Sequence, residues 1–182
     1  MNRKLCIYLL MMLSGLLCPG PACVRAETGQ ASEYQVKAAY LYHFAKFVEW
    51  PADTAGKPPA TLTIAVLGKS SIGAALEGIS GSTVKNRRVV IVSITRVEEL
   101  KGCDILFVCA SERTKLDRIF ASVASRPILT VSDIRGFAAS GGMIGFVSAH
   151  DRIRFEINQW ASQRSGLIIS AQLLKLATSV ID

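Results

Sequence analysis

The chain has 182 residues, of which 50% are hydrophobic and 19% are charged, and its formal net charge is +7 at pH 7. This length allows one compact domain with a sizeable core and is too short for two comfortable ones. Beyond the N-terminal region the basic residues are scattered, and only Arg87 and Arg88 are adjacent. Without a basic stripe interleaved with aromatic residues, the composition argues against a nucleic-acid interface.

The N-terminal residues 1–26 have the pattern of a secretory signal peptide. Two basic residues precede an apolar run from Leu5 to Cys18, and Val24 and Ala26 occupy the −3 and −1 positions of a cleavage site. The run is shorter than the roughly 20 apolar residues that a transmembrane helix needs. We therefore predict an exported protein with no transmembrane segment after cleavage. Its formal charge falls to +4 because three basic residues are removed.

Lipid attachment is the disfavoured alternative to this cleavage. Neither Cys18, which follows "GLL", nor Cys23, which follows "GPA", combines a bulky residue at −3 with a small residue at −1. The mature chain is thus predicted to be a single domain of residues 27–182.

The first predicted element of that domain is a helix beginning at Ser32, which forms an S-x-x-Q capping box with Gln35, and ending before Pro51. Two apolar stripes follow helical spacing. They comprise Val36, Ala39, Tyr40, His43, Phe44 and Phe47, and Ala38, Leu41, Ala45 and Val48. A helix that is apolar on more than one face is either an ordinary buried helix or one covered by a partner.

After the linker from Pro51 to Ala60, strand-like and helix-like stretches alternate. The predicted strands are Thr61 to Gly68, Arg87 to Ile94, Cys103 to Cys109 and Pro127 to Ser132, with helices in "SSIGAALEGIS" and "ERTKLDRIFASVA". This alternation predicts an α/β fold, a three-layer sandwich in which helices flank a mostly parallel sheet of about five to six strands.

The end of the chain departs from this alternation. The stretch "GGMIGFVSAHDRIRFEIN" predicts an antiparallel hairpin, with Gly141 and Gly142 supplying positive φ before its first strand. In its second strand, Arg152, Arg154, Glu156 and Asn158 are predicted to form a charged outer face. A helical turn from Gln159 to Arg164 and a terminal helix from Ser170 to about Ile181 follow.

No catalytic or metal-binding pattern emerges from the polar residues. Gly68 and Gly73 do not match a P-loop or a dinucleotide fingerprint, and no G-x-S-x-G surrounds any serine. We interpret His43 as a core histidine and His150 as an exposed turn residue. Asp104 lies at the start of its strand, whereas phosphoacceptor sites lie at carboxyl ends. We expect no enzyme activity, no metal and no cofactor.

The mature cysteines, Cys103 and Cys109, are predicted not to be joined to each other. They lie at the two ends of one predicted strand, about 20 Å apart at 3.3 Å per residue, and a disulfide spans at most about 7 Å between Cα atoms. Each is expected to be a free, buried thiol. A bridge from Cys103 to a second chain is the alternative.

Four segments in this order and spacing carry a family resemblance, namely "YQVKAAYLYHFAKFVEWP", "GFAASGGMIGFV", "RIRFEIN" and "GLIISAQLLKLA". They resemble the YfiR family of periplasmic regulators across essentially the whole mature chain. The resemblance implies a protein that binds the periplasmic sensor region of an inner-membrane diguanylate cyclase and represses it, which lowers cyclic-di-GMP and biofilm formation. It also implies an outer-membrane-anchored partner that sequesters the regulator. Family members under redox control are implied to carry disulfides, and two mature cysteines put such control in doubt here.

On this basis we predict three surfaces. Partner binding is predicted at Arg154, Glu156, Asn158, Gln172 and Lys175, and a homodimer interface at Tyr40, Phe44 and Phe47. A rival function, binding of a small molecule in the periplasm, would use a crevice at Gly68, Ser70 and Ser71, because the carboxyl ends of parallel strands gather unpaired N–H groups.

Overall fold

The computed structural model describes residues 24–51, 59–149 and 152–182. The predicted signal peptide lies outside the described residues except for its last three, as do His150 and most of the predicted linker. Residues Ala31–Asp182 form a compact unit. Cleavage after residue 26 and the boundary of the mature domain remain predictions.

Helices and strands alternate along most of the chain. The helices are α1 Val24–Phe47, α2 Ile72–Leu76, α3 Leu116–Val123, α4 Gln159–Arg164 and α5 Ala171–Leu174. The strands are β1 Val48–Glu49, β2 Thr61–Leu67, β3 Thr83–Val84, β4 Arg87–Ile94, β5 Ile105–Val108, β6 Leu129–Ser132, β7 Ile144–Ala149, β8 Arg152–Asn158, β9 Ile168–Ile169 and β10 Ser179–Ile181. Short 3₁₀ helices occupy Glu77–Ile79, Val97–Glu99 and Ala110–Lys115.

The main sheet has eight strands in the order β10-β8-β7-β6-β5-β2-β4-β3. Neighbouring strands from β4 to β7 are parallel, whereas β7 pairs with β8 and β3 with β4 in antiparallel fashion. The α/β class, the mostly parallel sheet and the antiparallel hairpin are thereby confirmed. The six predicted strands are all present, and the two additional ones, β3 and β10, are short edge strands.

Both faces of the central strands β2 and β5 are buried, which explains why these strands are continuous apolar runs. In β5, Ile105 and Phe107 join one core with α1, while Leu106 and Val108 join a second core with α3. Since side chains alternate along a strand, the two cores lie on opposite faces of the sheet. The result is the predicted three-layer arrangement.

Helix α1 differs from its prediction at both ends. It begins before Ser32, so the predicted capping box lies inside the helix, and it ends at Phe47 rather than at Pro51. The next residues leave the helix because Val48 pairs with Ile169 and the Ser170 amide donates to the Phe47 carbonyl at 3.0 Å. Helix α1 therefore leads directly into a two-stranded sheet with β9.

The terminal helix is much shorter than predicted. Helix α5 ends at Leu174, and residues Ser179–Ile181 form β10 instead of further helical turns. Thr178 donates to the Phe155 carbonyl through both its amide and its hydroxyl, each at 2.9 Å, which guides the chain alongside β8. Val180 and Ile181 are β-branched, which favours a strand, and β10 pairs with β8 at the edge of the sheet.

Two buried basic residues form ion pairs that link elements of the fold. Arg87, whose side chain is 1% exposed, contacts Asp104 at 2.6 Å, and the Asp104 carboxylate also accepts from the Thr63 amide. On α1, Lys37 contacts both Glu33 and Asp133 at 2.7 Å. Burial alone lowers the pKa of Lys37, but the hydrogen bonds and charges of the two carboxylates outweigh it and raise that pKa above its ordinary value.

Candidate interaction surface

The outer face of β8 carries the first group of predicted partner-binding residues. Arg154 is exposed and Glu156 is half-buried, on the face of β8 opposite the buried Phe155. Glu156 lies beside Ser179 in the register of β8 with β10. Within the described residues Arg154 makes no ion pair, so its guanidinium is open to solvent.

Asn158 does not belong to this exposed face, and its prediction as a contact residue is wrong in that respect. The residue is 6% exposed, its Oδ1 accepts from the Ala161 amide at 2.8 Å, and its Nδ2 donates to the Ala138 carbonyl at 2.9 Å. Asn158 is the N-cap of α4. The alternation that predicted exposure ends at this position because a loop, residues 134–142, covers the end of the strand.

The second predicted group lies on α5, near the same edge of the sheet. Gln172 and Lys175 are exposed, and Leu173 between them is buried in the core that contains α1. Arg154 and Glu156 face the other way. The predicted residues therefore share one edge of the sheet and do not form one flat patch.

That edge is formed by β10, which contacts β8 on one side. Among the described residues, no strand pairs with its other side. Two large apolar side chains are exposed here, Leu176 at 57% and Val180 at 37%. We call β10 together with Leu176 and Lys175 the edge surface. An open strand edge next to exposed apolar groups suits the addition of a strand from another chain.

The crevice predicted for a small molecule is filled by the chain itself. The Ser111 hydroxyl accepts from the Lys69 amide at 3.0 Å and donates to Glu112 at 3.2 Å. Gly68 has φ of +96°, and a Cβ there would lie 2.5 Å from the Ser111 Oγ. Glu112 is 8% exposed and binds Lys115 at 2.8 Å. These side chains occupy the space between the carboxyl ends of β2 and β5.

Ser70 and Ser71, the two serines of the predicted crevice, lie just before α2. The Ser70 Oγ accepts from the Ile72 amide at 3.2 Å, and Ser71 precedes α2 without a side-chain capping bond. Neither observation points to a ligand. A binding site here would require the segment from Ala110 to Lys115 to move away.

The predicted dimer residues lie mainly inside the chain's own core. Phe44 is fully buried and packs against Tyr40, Phe146 and Phe155 with ring centroids 5.1 to 5.9 Å apart. Phe44 is therefore wrong as a contact to a second copy. Tyr40 is half-buried and donates to the Ile153 carbonyl at 3.3 Å.

The solvent-facing side of α1 consists instead of Val36, Ala39 and His43, all exposed. The interpretation of His43 as a core histidine is thus wrong. Val36 is 42% exposed. The sheet lies against the predicted second stripe of α1 together with Phe44.

Both mature cysteines are free and buried. Burial raises the pKa of the Cys103 thiol to about 12 and that of the Cys109 thiol to about 12. Such thiols stay protonated near neutral pH and are poor nucleophiles.

The described ranges contain neither a metal-binding cluster nor a membrane-spanning helix. Residues 24–51, 59–149 and 152–182 hold no cluster of three or more His, Cys, Asp or Glu side chains suited to a metal ion. In the same ranges no helix combines the length and apolar character needed to cross a bilayer.

Comparison with known proteins identifies the family. The sequence matches the family described as YfiR/HmsC-like over residues 34–178, which is most of the chain. The match begins within α1 and ends just before β10. The chain belongs to the YfiR/HmsC-like family. The family resemblance of the four sequence segments is thereby confirmed.

A solved structure also resembles this YfiR/HmsC-like chain. It is described as the crystal structure of an ABC domain in complex with L-Trp from Streptococcus pneumonia, with 16% identity and a TM-score of 0.48. The match covers 66% of this chain and 55% of the other, so this chain spans about half the length of that protein.

Sequence patterns did not single out three exposed apolar residues, Leu176, Val180 and Trp160. The first two lie in the segment predicted as the terminal helix. Trp160 had a detectable signal, because Arg164 follows it at the i,i+4 spacing that places both on one helix face.

Proposed function

We propose that the mature chain is a periplasmic regulator that binds the periplasmic sensor region of an inner-membrane diguanylate cyclase and represses it. Repression lowers cyclic-di-GMP and biofilm formation. The observation that carries this proposal is membership of the YfiR/HmsC-like family over residues 34–178. The proposed role is regulatory rather than catalytic, as membership of this family implies.

The edge surface supports a protein contact. A partner strand added to β10 would gain main-chain hydrogen bonds, and its apolar side chains would cover Leu176 and Val180, which are exposed at 57% and 37%. Lys175 and Arg154 are both exposed. Charged residues at the rim of an interface set the rate and specificity of association more than its affinity.

An outer-membrane-anchored protein that binds the same surface would release the cyclase by competition. Both partners would then bind at Val180, so only one of them could be bound at a time. We propose this competition as the route by which repression is relieved.

Self-association as a homodimer is a separate proposal. Since Phe44 is buried, a second copy would meet the exposed side of α1 at Val36 and Ala39 or the edge surface. Light scattering at high protein concentration measures it, and a monomeric mass contradicts it.

The decisive experiment compares two valines of equal exposure. Val180 is 37% exposed on β10, and Val92 is 36% exposed on β4 at a distant part of the sheet. We expect Val180→Glu to weaken binding to the immobilised periplasmic region of the cognate cyclase at least about tenfold, as interface core residues do. Val92→Glu is the control and should bind normally.

The cellular test uses the native strain. Deleting the gene should raise cyclic-di-GMP and surface attachment, the wild-type gene should restore both, and the Val180→Glu gene should not. Unchanged cyclic-di-GMP in a deletion strain with intact cyclases would contradict the function. Equal binding by the two valine variants would contradict the proposed surface and leave the function standing.

A further inference from the structure

A cavity that no part of the proposed function uses lies between α3 and α4. It has a volume of about 280 Å³ and is open to solvent. Its floor comes from β6 and the residue before β7. The walls are largely apolar, and the residues that matter here are Phe120, Val123, Met143, Trp160, Ala161 and Arg164.

Trp160 forms the outer wall of this cavity. Its side chain is 53% exposed, and Arg164 stacks on it with the guanidinium carbon 4.4 Å from the ring centroid. The helix that carries both residues is fixed in place by its Asn158 cap and by Ala161, which is 9% exposed. The indole and the guanidinium are thus held together on a rigid element at the cavity mouth.

The charge of the cavity is unbalanced. Arg164 is the one charged residue in the lining, which contains no carboxylate. Within the described part of the chain Arg164 makes no ion pair. The hydroxyls of Thr130 and Ser140 are already bonded, the first accepting from the Met143 amide at 3.0 Å and the second donating to the Gly136 carbonyl at 3.0 Å. The cavity therefore offers one cation and a largely apolar interior, with the Ser165 hydroxyl as a further polar group.

We infer that this cavity binds a small amphipathic monocarboxylate, whose apolar tail enters between α3 and α4 and whose carboxylate pairs with Arg164. Arginine binds a carboxylate through two parallel N–H bonds, and the stacked indole limits the guanidinium to few orientations. The volume is close to the lower end of ligand pockets, about 300 Å³, which suits a medium-chain fatty acid or an arylalkanoate. This inference does not rest on the proposed function.

The test uses octanoate, below its micelle concentration, with ¹⁵N-labelled full-length mature protein. The indole N–H signals of the two tryptophans report on different sites. Trp50 is 3% exposed and donates to the Asp104 carbonyl at 3.3 Å, whereas Trp160 lies at the cavity. We expect octanoate to shift the Trp160 signal in a saturable way and to leave that of Trp50 unchanged. Trp160→Phe assigns the signal.

Two comparisons test the carboxylate contact. Arg164→Gln should weaken octanoate binding about tenfold, the usual effect of losing a charge-assisted hydrogen bond. Arg113→Gln, which removes another exposed arginine outside the cavity lining, should change nothing. Octanol, which has the same tail without the charge, should bind about as weakly to the wild type as octanoate binds to Arg164→Gln.

Several outcomes would overturn the inference. If octanoate does not shift the Trp160 signal, the cavity does not bind such a ligand. The exposed indole is then better explained as a contact for another protein. Equal binding of octanol and octanoate, or equal affinity of Arg164→Gln and wild type, shows an apolar cavity without carboxylate recognition.

Discussion

Replacing Phe44 by alanine separates a core role from an interface role. If Phe44 is a core residue, Phe44→Ala destabilises the monomer itself, and the loss does not depend on protein concentration. If Phe44 belonged to a dimer interface, the loss would appear mainly in association. The ring is fully buried and lies within 5.1 to 5.9 Å of three other aromatic rings.

The expected loss can be estimated from these contacts. Removing a buried phenylalanine side chain costs about 3 to 5 kcal/mol, because the transfer free energy is lost and a cavity remains. An aromatic pair contributes about 0.5 to 1.5 kcal/mol beyond the area it buries. With three such pairs lost at once, we expect the upper part of the range, about 4 to 5 kcal/mol.

The assay is urea unfolding followed by intrinsic tryptophan fluorescence, at a low and at a high protein concentration. Val36→Ala is the control on the same helix, because Val36 is exposed and its truncation should change the free energy of unfolding by at most about 0.5 kcal/mol. A Phe44→Ala loss below about 1 kcal/mol, the typical cost of an arbitrary substitution, would refute the core assignment. A Phe44→Ala unfolding midpoint that falls only at the low protein concentration would also refute the core assignment.

Four further predictions follow from the described contacts. Gly68→Ala should lower the free energy of unfolding by about 2 to 3 kcal/mol, because φ is +96° and Ser111 blocks a Cβ. Asn158→Ala should cost about 1 to 3 kcal/mol through the lost helix cap and the unpaired Ala138 carbonyl, measured by urea unfolding. The two thiols, with pKa values of about 12, should resist a thiol reagent at pH 8 in native protein and both react after denaturation. Because the pKa of Lys37 is raised in the folded state, its ion pairs should lose their contribution to stability as pH rises above about 10.4, and Lys37→Met should lack that part of the pH dependence.

Controls make these results specific. Gly73→Ala, in a helix with open space around the new methyl, should be neutral or slightly stabilising. Asn158→Asp retains an N-cap oxygen and should lose less than the alanine variant. Thiols that are absent after denaturation in a monomeric protein would show an intrachain disulfide. An unfolding curve whose dependence on alkaline pH is the same with and without Lys37 would contradict the raised pKa.

Local sequence patterns predicted the central sheet well, because its strands are buried on both faces. Thr61–Leu67 is an apolar run of strand length that is followed by a helical stretch, and Ile105–Val108 is buried throughout. A parallel strand covered by helices on both sides consists almost entirely of apolar residues. The alternation in Arg152–Asn158 likewise predicted which side chains of β8 face outward, up to Glu156.

The pattern was less informative where an element has apolar residues on several sides. In α1, spacing alone could not tell which stripe meets the sheet, and Phe44 and His43 were placed on the same side although one is buried and the other exposed. Similarly, "GG" at residues 141–142 predicted two positive φ values. Only Gly141 has one, at +108°, whereas Gly142 is required because a Cβ would overlap the Phe137 ring.

The sequence by itself determined the layer architecture, the family and the separation of the two thiols, since each depends on residue order, hydrophobic period and the length of an extended strand. Tertiary structure decided the surfaces. The crevice near Gly68 is filled by Ser111 and Glu112, more than forty positions along the chain. The last residues are a strand because β8 has an open edge beside them, with Ser179 aligned to Glu156. The exposure of a side chain and the pairing of a strand depend on which distant segments come together. A local sequence pattern does not specify those segments.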